Sequence, residues 1–386
     1  MPDLRDIDRT DDRPVYVIGG GPGGLAVAAA LRARGVRAVV LERADDVAAS
    51  WRGHYDRLRL HTTRRLSGLP GLPIPRKAGR WVTREAMVRY LEAYAEAHEL
   101  ELVTGVEVSR IEPSGGDWVL HATGGRVLTG RAVVVATGRN RSPRLPEWPG
   151  RDHYAGELLH ASDYRNATPY AGKDVLVVGA GNSGAEIAVD LVEGGAARVR
   201  LAVRTAPHIV RRATAGWPAQ RTGILMRRVP VVVADALSGP VRRLLAPDLA
   251  AHGLPRPRTG LHARVRQGAI PVQVPGLVRA VKTGRIEPVA AVKSFDDAKV
   301  VLVDGSRIDP EVVIAATGYD RGLESLVGHL DVLDDHGRPV TRGGRTPGVA
   351  PGLYFTGFNH PVSGALRDLA RDALRIAKRL SRQIAR

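Results

Sequence analysis

Val15–Ala29 reads VYVIGGGPGGLAVAA, and Val175–Ala188 reads VLVVGAGNSGAEIA. Each opens as an apolar, β-branched run, passes through glycines at GxGxxG spacing and continues into small and aliphatic residues. An apolar run closed by glycines predicts a buried parallel strand. Residues 14–20, PVYVIGG, are therefore expected as a strand, Leu25–Leu31 as a helix, and Arg37–Leu41, RAVVL, as the next strand. The spacing alone says little; strand, turn, helix and strand in this order give it meaning. Gly19 permits the tight turn, Gly21 lets a pyrophosphate approach the backbone, and Gly24 lets the helix pack close to the strand. The helix N-terminus then offers free N–H groups and a positive dipole end to an anion. Gly179, Gly181 and Gly184 repeat the device, so one chain carries two phosphate-binding turns.

The two units differ where their second strands end. The first ends at Glu42; the second ends at Arg204, followed by Thr205. A carboxylate there accepts hydrogen bonds from a ribose diol and repels a 2′-phosphate, whereas an arginine donates to that phosphate bidentately. The first turn reads as a site for FAD or NAD, the second as a site for NADP.

A length of 386 residues suggests two domains, or three. With 44% apolar and 25% charged residues, the composition is that of a soluble globular chain. The first thirteen residues are polar and acidic, with no apolar stretch of a secretory leader, and no run reaches bilayer length, so a cytoplasmic location without a membrane partner is expected. The absence of cysteine removes disulfides, Cys-ligated zinc, iron–sulfur clusters and CxxC redox pairs. No metal site is expected. The net charge of +17 raises a nucleic-acid reading, but the basic residues are scattered and aromatic content is only 4%, which leaves few stacking platforms. A basic surface that attracts phosphorylated cofactors or acidic substrates accounts for the charge, with a small molecule as substrate and no nucleic-acid partner.

Two further strands end in Ala-Thr-Gly: AVVVATGRN at 132–140 and EVVIAATGYD at 311–320. Each follows hairpin-like alternation, DWVLHATGGRVLTG and AKVVLVDGSRI. Near the end come GLYFTGF at 352–358 and a helix from about Ser363, with Leu366, Leu369, Ile376 and Leu380 on its apolar face. That helix is expected to return to the first lobe. The fold class is α/β, with two Rossmann-like dinucleotide-binding domains. Residues 1–165 and 311–386 form a discontinuous FAD-binding domain, and 166–310 an inserted NADPH-binding domain. Residues 207–275, rich in Pro and Arg and including VVVADALSG, read as irregular with short helices.

A flavin-type and an NADPH-type site in one chain imply hydride transfer from nicotinamide to flavin. Without cysteines, the electrons go on to dioxygen or to an external acceptor. Three motifs then resemble class B flavin-dependent monooxygenases, the flavin-containing and Baeyer–Villiger group. YAGELLHASDYR at 154–165 is similar to the group's linker fingerprint, with Gly156 and His160 matching, Tyr154 in place of Phe, and Tyr164 where Baeyer–Villiger members carry Trp-Pro. SWRGHYDRLRLHTTRRLSGLPGLPIP at 50–75 resembles the YUCCA-type branch, and ATGYD at 316–320 its ATGY element.

The resemblance implies an FAD- and NADPH-dependent monooxygenase that retains NADP⁺, reacts with O2 to give a C4a-(hydro)peroxyflavin, and oxygenates a small organic molecule. N- or S-oxygenation, oxidative decarboxylation and Baeyer–Villiger attack are all open. An NADPH reductase serving an external acceptor is the alternative, and a basic nucleic-acid-binding flavoprotein a more distant one. In amine-oxidising members an Asn stands where this chain has His61. His61 is therefore the candidate catalytic residue, against a purely loop-orienting role. His160 is implied in linker function rather than acid–base chemistry. The expected FAD site draws on Gly19, Gly21, Pro22, Gly23, Gly24, Glu42, Arg43, Trp51, His61, Thr62, Val106, Ala136, Thr137, Gly138, Gly357 and Phe358. The expected NADPH site draws on Gly179, Gly181, Asn182, Ser183, Gly184, Arg204, Thr205, Thr317 and Gly318. Arg211 and Arg212 read as a solvated charge pair, with a phosphate contact as the alternative.

Overall fold

The computed structural model describes residues 13–226, 229–233, 235–236, 248–266, 268–359, 361 and 363–385. The N-terminal stretch read for a leader, and part of VVVADALSG, lie outside the described residues. The chain divides into two compact units: Met1–Arg52, Thr63–Ser142 and Tyr319–Arg386 form one, Gly53–Thr62 and Pro143–Gly318 the other.

In the first unit, β1 (Val15–Ile18), α1 (Pro22–Arg32) and β2 (Ala38–Leu41) form the βαβ motif. Every residue of β1 and β2 is buried, because a parallel sheet is covered on both faces. Helix α2 (Arg84–Ala97), capped by the Thr83 hydroxyl, precedes β3 (Glu101–Val103). An antiparallel meander, β4 (Val108–Ser114), β5 (Asp117–Ala122) and β6 (Arg126–Gly130), leads to β7 (Ala132–Val135).

In the second unit, β8 (Glu157–His160) precedes β9 (Asp174–Val178), α3 (Asn182–Glu193) and β10 (Arg198–Val203). After β11 (Glu287–Ala290) comes a second meander, β12 (Val292–Asp296), β13 (Lys299–Leu302) and β14 (Arg307–Ile308), and then β15 (Val312–Ala315). The chain returns to the first unit with β16 (Leu353–Phe355) and α4 (Ala365–Ile384).

The first parallel sheet runs β16-β7-β1-β2-β3 and the second β8-β15-β9-β10-β11. Each GxGxxG turn thus follows a central strand, and each meander feeds the strand on its other side. This is the two-Rossmann fold the sequence predicts. The outer strand β8 is drawn from the linker fingerprint: Ala315 pairs with His160, so 157–160 belongs to the second sheet. Helix α4 packs on α1. It buries Leu366, Ile376 and Leu380 as expected, together with Ala373, Ala377 and Asp372. Leu369 is half-buried, with its side chain against Gly23.

Candidate functional site

The two turns share one geometry. Gly19 and Gly179 have φ of +114° and +111°, which strains any residue with a side chain. A Cβ on Gly24 or Gly184 would stand 1.9 Å from the carbonyl oxygen of Gly19 or Gly179, so only glycine lets helix and strand come this close. By contrast, a Cβ on Gly21 or Gly181 would meet nothing within 4 Å. Each of these two residues is the N-cap of its helix, and neither supplies a side-chain cap. No N-cap side chain therefore takes the first amides of α1 and α3, which leaves them for a phosphate in both places.

Around the first turn, Glu42 is buried, and its carboxylate accepts from Gly20 N (2.6 Å) and Ala44 N (3.0 Å). Two of its roughly four acceptor positions remain for a ribose diol. Val106 is buried and donates its N–H to the Glu42 carbonyl, 2.9 Å away. Ala136 abuts Gly19, and the Thr137 hydroxyl, next to Gly138 in the chain, is buried without a hydrogen-bond partner among the described residues. Gly357 lies 4.0 Å from Gly138, measured from its ideal Cβ position. Phe358 lies in the core with Phe355. Pro22 is the first residue of α1, where its missing N–H costs nothing, and Gly23 is buried against Leu369 and Thr356. Arg43 is exposed and donates weakly to the Arg141 carbonyl (3.4 Å). Trp51 is half-buried on a single helical turn, Ala49–Arg52. An open phosphate cradle, a buried acid at the strand end and an orphaned hydroxyl fit FAD.

Around the second turn, Arg204 and Thr205 are exposed directly after β10, and Ser183 is half-buried at the start of α3. These residues fit NADPH. The Asn182 side chain is engaged within the protein instead. Its amide donates to the Pro271 carbonyl (3.0 Å) and accepts from Gln273 N (2.9 Å), so it pins 271–273 to the helix start. Its second amide N–H and its main chain remain for a phosphate. The Thr317 hydroxyl donates to the Arg144 carbonyl (2.5 Å).

The fingerprint residues have structural partners. His160 is buried at the end of β8, with Nε2 3.0 Å from the Gly318 carbonyl and Nδ1 3.0 Å from Ser162 N. A carbonyl only accepts and an amide only donates, so the ring is the neutral Nε2–H tautomer. Burial, its largest influence, lowers its pKa and favours that form. Gly156 has no room for a Cβ beside the Tyr154 ring. Tyr164 is fully buried, stacks on Tyr170 and donates to Asp190 Oδ2 (2.6 Å).

His61 and Thr62 fall in the second unit, on the segment Gly53–Thr62. That segment lies along an acidic stripe of α3 formed by Glu186, Asp190 and Glu193, spaced so that they share one helix face. Tyr55 donates to Glu186 Oε2 (2.6 Å), and Arg57 reaches Asp190 (3.1 Å) and Glu193 (3.0 Å). His61 Nε2 stands 3.7 Å from Glu186 Oε1, while its Nδ1 is buried without a hydrogen-bond partner among the described residues. Burial first, then the charge of Arg212, lowers the His61 pKa to about 4, with the Gln273 backbone opposing both. The imidazole is neutral near pH 7. Burial raises the Glu186 pKa, while the Tyr55 hydrogen bond and nearby Arg212 counter it. Arg212 is not the solvated charge its sequence neighbourhood suggests. Its side chain is 13% exposed and contacts Glu186 (3.4 Å) and the Gln273 carbonyl (3.3 Å); Arg211 is the exposed member of the pair. Tyr55, Arg57, Glu186 and Asp190 escape a reading of the sequence. The one available signal is a glutamate at 186 inside the apolar run GAEIAV.

Comparison with known proteins adds the lineage. Residues 16–215 match the pyridine nucleotide-disulphide oxidoreductase family; this chain, having no cysteine, lacks the disulfide chemistry of that name. It is 37% identical to indole-3-pyruvate monooxygenase YUCCA1 of Oryza sativa subsp. japonica over 374 residues, 94% of this chain and 90% of that protein. It is 33% identical to probable indole-3-pyruvate monooxygenase YUCCA3 of Arabidopsis thaliana, covering 94% of this chain and 86% of the other. In fold it is similar to a flavin-containing monooxygenase from Stenotrophomonas maltophilia, with TM-score 0.71 and 24% identity over 97% of this chain and 99% of that one. With matched turns, opposite charges at the strand ends and relatives of this closeness along nearly its whole length, the chain belongs to the YUCCA-like family of flavin monooxygenases.

Proposed function

We propose that this chain binds FAD at the first turn and NADPH at the second, and uses them to insert one oxygen atom of O2 into a small organic substrate, with a 2-oxo acid as the class. The carrying observation is the pair of near-identical turns ending in opposite charges, Glu42 and Arg204. The relatives' names, indole-3-pyruvate monooxygenases, supply the substrate class. When bound, the cofactors supply hydride transfer and the activation of dioxygen.

The chain's own residues do the rest. The N-termini of α1 and α3 grip pyrophosphates, Glu42 takes a ribose diol, and Arg204 takes a 2′-phosphate. His61, held neutral, offers a buried ring nitrogen that accepts or donates one hydrogen bond without adding charge to the site. His160 ties the end of β8 to the Ala-Thr-Gly turn at 316–318 and takes no proton.

The test is turnover of aromatic 2-oxo acids under ¹⁸O2 with NADPH. One labelled oxygen per product molecule is expected. Purified protein that stays colourless after reconstitution with FAD, or NADPH oxidation that leaves every product unlabelled, rejects the reading; the second result is what a reductase serving an external acceptor gives.

A further inference from the structure

Among the described residues, two arginines of the first unit stand without counter-ions. Arg139 follows the Ala-Thr-Gly turn after β7, and Arg321 lies just past the second such turn. Their segments run side by side: Arg141 N donates to the Asp320 carbonyl (3.2 Å), and the Arg141 side chain lies 2.8 Å from where a Cβ on Gly322 would stand. Both residues are half-buried. Arg139 Nη1 donates to the Asn359 carbonyl (3.0 Å), and Arg321 Nη1 donates to the His336 carbonyl (3.2 Å). Arg321 Nε is buried with no hydrogen-bond partner among the described residues. Among the described residues, neither arginine has a carboxylate within ion-pair distance; the nearby Arg141, in contrast, is paired with Glu107 at 2.6 Å.

Withdrawing an unpaired charge from water is costly, and here two like charges lie on adjoining segments and act on one another. Burial and the charge of Arg321 both lower the pKa of Arg139, yet a guanidinium does not give up its proton. Such an arrangement calls for an anion. The pyrophosphate of a dinucleotide already has its donors at α1. Arg139 instead follows β7 at the carboxyl edge of the sheet, where ligands of open α/β sheets bind. A planar guanidinium fork also matches a carboxylate in shape.

We propose that Arg139 and Arg321 form an anion subsite that receives the carboxylate of the substrate. This assignment rests on the oxygenase reading above and specifies which residues select an acid over a neutral ketone.

FAD-loaded enzyme and its Arg139→Gln and Arg321→Gln variants are titrated by calorimetry with phenylpyruvate and with phenylacetone, the neutral ketone lacking the carboxylate. Each substitution is expected to weaken phenylpyruvate binding about 10- to 100-fold, as loss of a charged hydrogen bond does, and to leave phenylacetone within about twofold. Arg139→Lys should recover part of the loss. The flavin spectrum confirms that each variant is folded and loaded, and either variant alone is sufficient. Equal weakening of both ligands, or wild-type enzyme that does not bind phenylpyruvate, overturns the subsite. A loss of FAD affinity with unchanged acid-over-ketone preference also overturns it, assigning the arginines to the cofactor. Because binding needs no turnover, intact carboxylate selectivity with no ¹⁸O incorporation would defeat the oxygenase reading alone, and the reverse result the subsite alone.

Discussion

At the scale of single residues, charge decides the assignments. Arg204 stands exposed where an acid would reject NADPH. Replacing it with Ser removes one charge-assisted contact, about 1.5–3 kcal/mol. KM for NADPH should rise about 10- to 100-fold while that for NADH stays within about twofold. An equal change in both would place the discrimination elsewhere. His61 gives a second prediction. Its pKa falls from 6.5 to about 4 in the folded chain. The unfolded chain therefore binds more protons between those values, so the stability this residue contributes is complete above about pH 6.5 and is lost as pH falls towards 4. A shift of that size corresponds to about 3 kcal/mol. Arg212→Gln should raise the His61 pKa, as followed by imidazole NMR in the apoprotein, and His61→Gln should flatten the acid limb of urea-denaturation stability. A wild-type His61 that titrates near 6.5 contradicts both the burial and the influence of the Arg212 charge.

At the scale of elements, α3 does two jobs. Its N-terminus presents open amides, and its Glu186–Asp190–Glu193 stripe holds 53–62 through Tyr55 and Arg57. The Tyr55–Glu186 bond is fully buried, so Tyr55→Phe strands one carboxylate oxygen and should destabilise the fold by about 1–3 kcal/mol. A denaturation double-mutant cycle with Glu186→Gln should return a coupling of about 0.5–3 kcal/mol; purely additive effects would show that the pair does not interact. These contacts also mark the limit of what the sequence discloses. The βαβ motifs are legible because strand, turn and helix are written in adjacent residues with their own periodicity. Tyr55 and Glu186 are 131 positions apart, and Arg57 and Asp190 are 133 apart. No local pattern couples such residues. Arg212 reads wrongly as solvated for the same reason: its partner Glu186 lies on an element that sequence neighbours do not reveal. Asn182 looks like a phosphate ligand from its place in the turn, but only the fold shows its amide engaged with 271–273.

At the scale of the whole molecule, the repetition of one turn with its helix, and of a hairpin leading to an Ala-Thr-Gly strand, reads directly from the sequence; the matching order of the two sheets is what the structure adds. The charge of +17 is a different kind of property. It is spread over many surface positions and fixes no fold, yet it acts on every anion that approaches. The 2′-phosphate adds about −1.5 to −2 charge near neutral pH, as for any phosphate monoester. On the proposed assignment NADPH feels both the general field and Arg204, whereas NADH feels the field more weakly. Salt shortens the reach of the field to about 10 Å at 0.1 M and about 3 Å at 1 M. Raising the ionic strength across that range should weaken NADPH binding more steeply than NADH binding in the wild type, read as dissociation constants from fluorescence titration. In Arg204→Ser the two salt curves should draw closer but not merge, because the distributed charge remains. If they merge, Arg204 alone carries the preference. If they do not move at all, the preference belongs to the field and the strand-end arginine is a bystander.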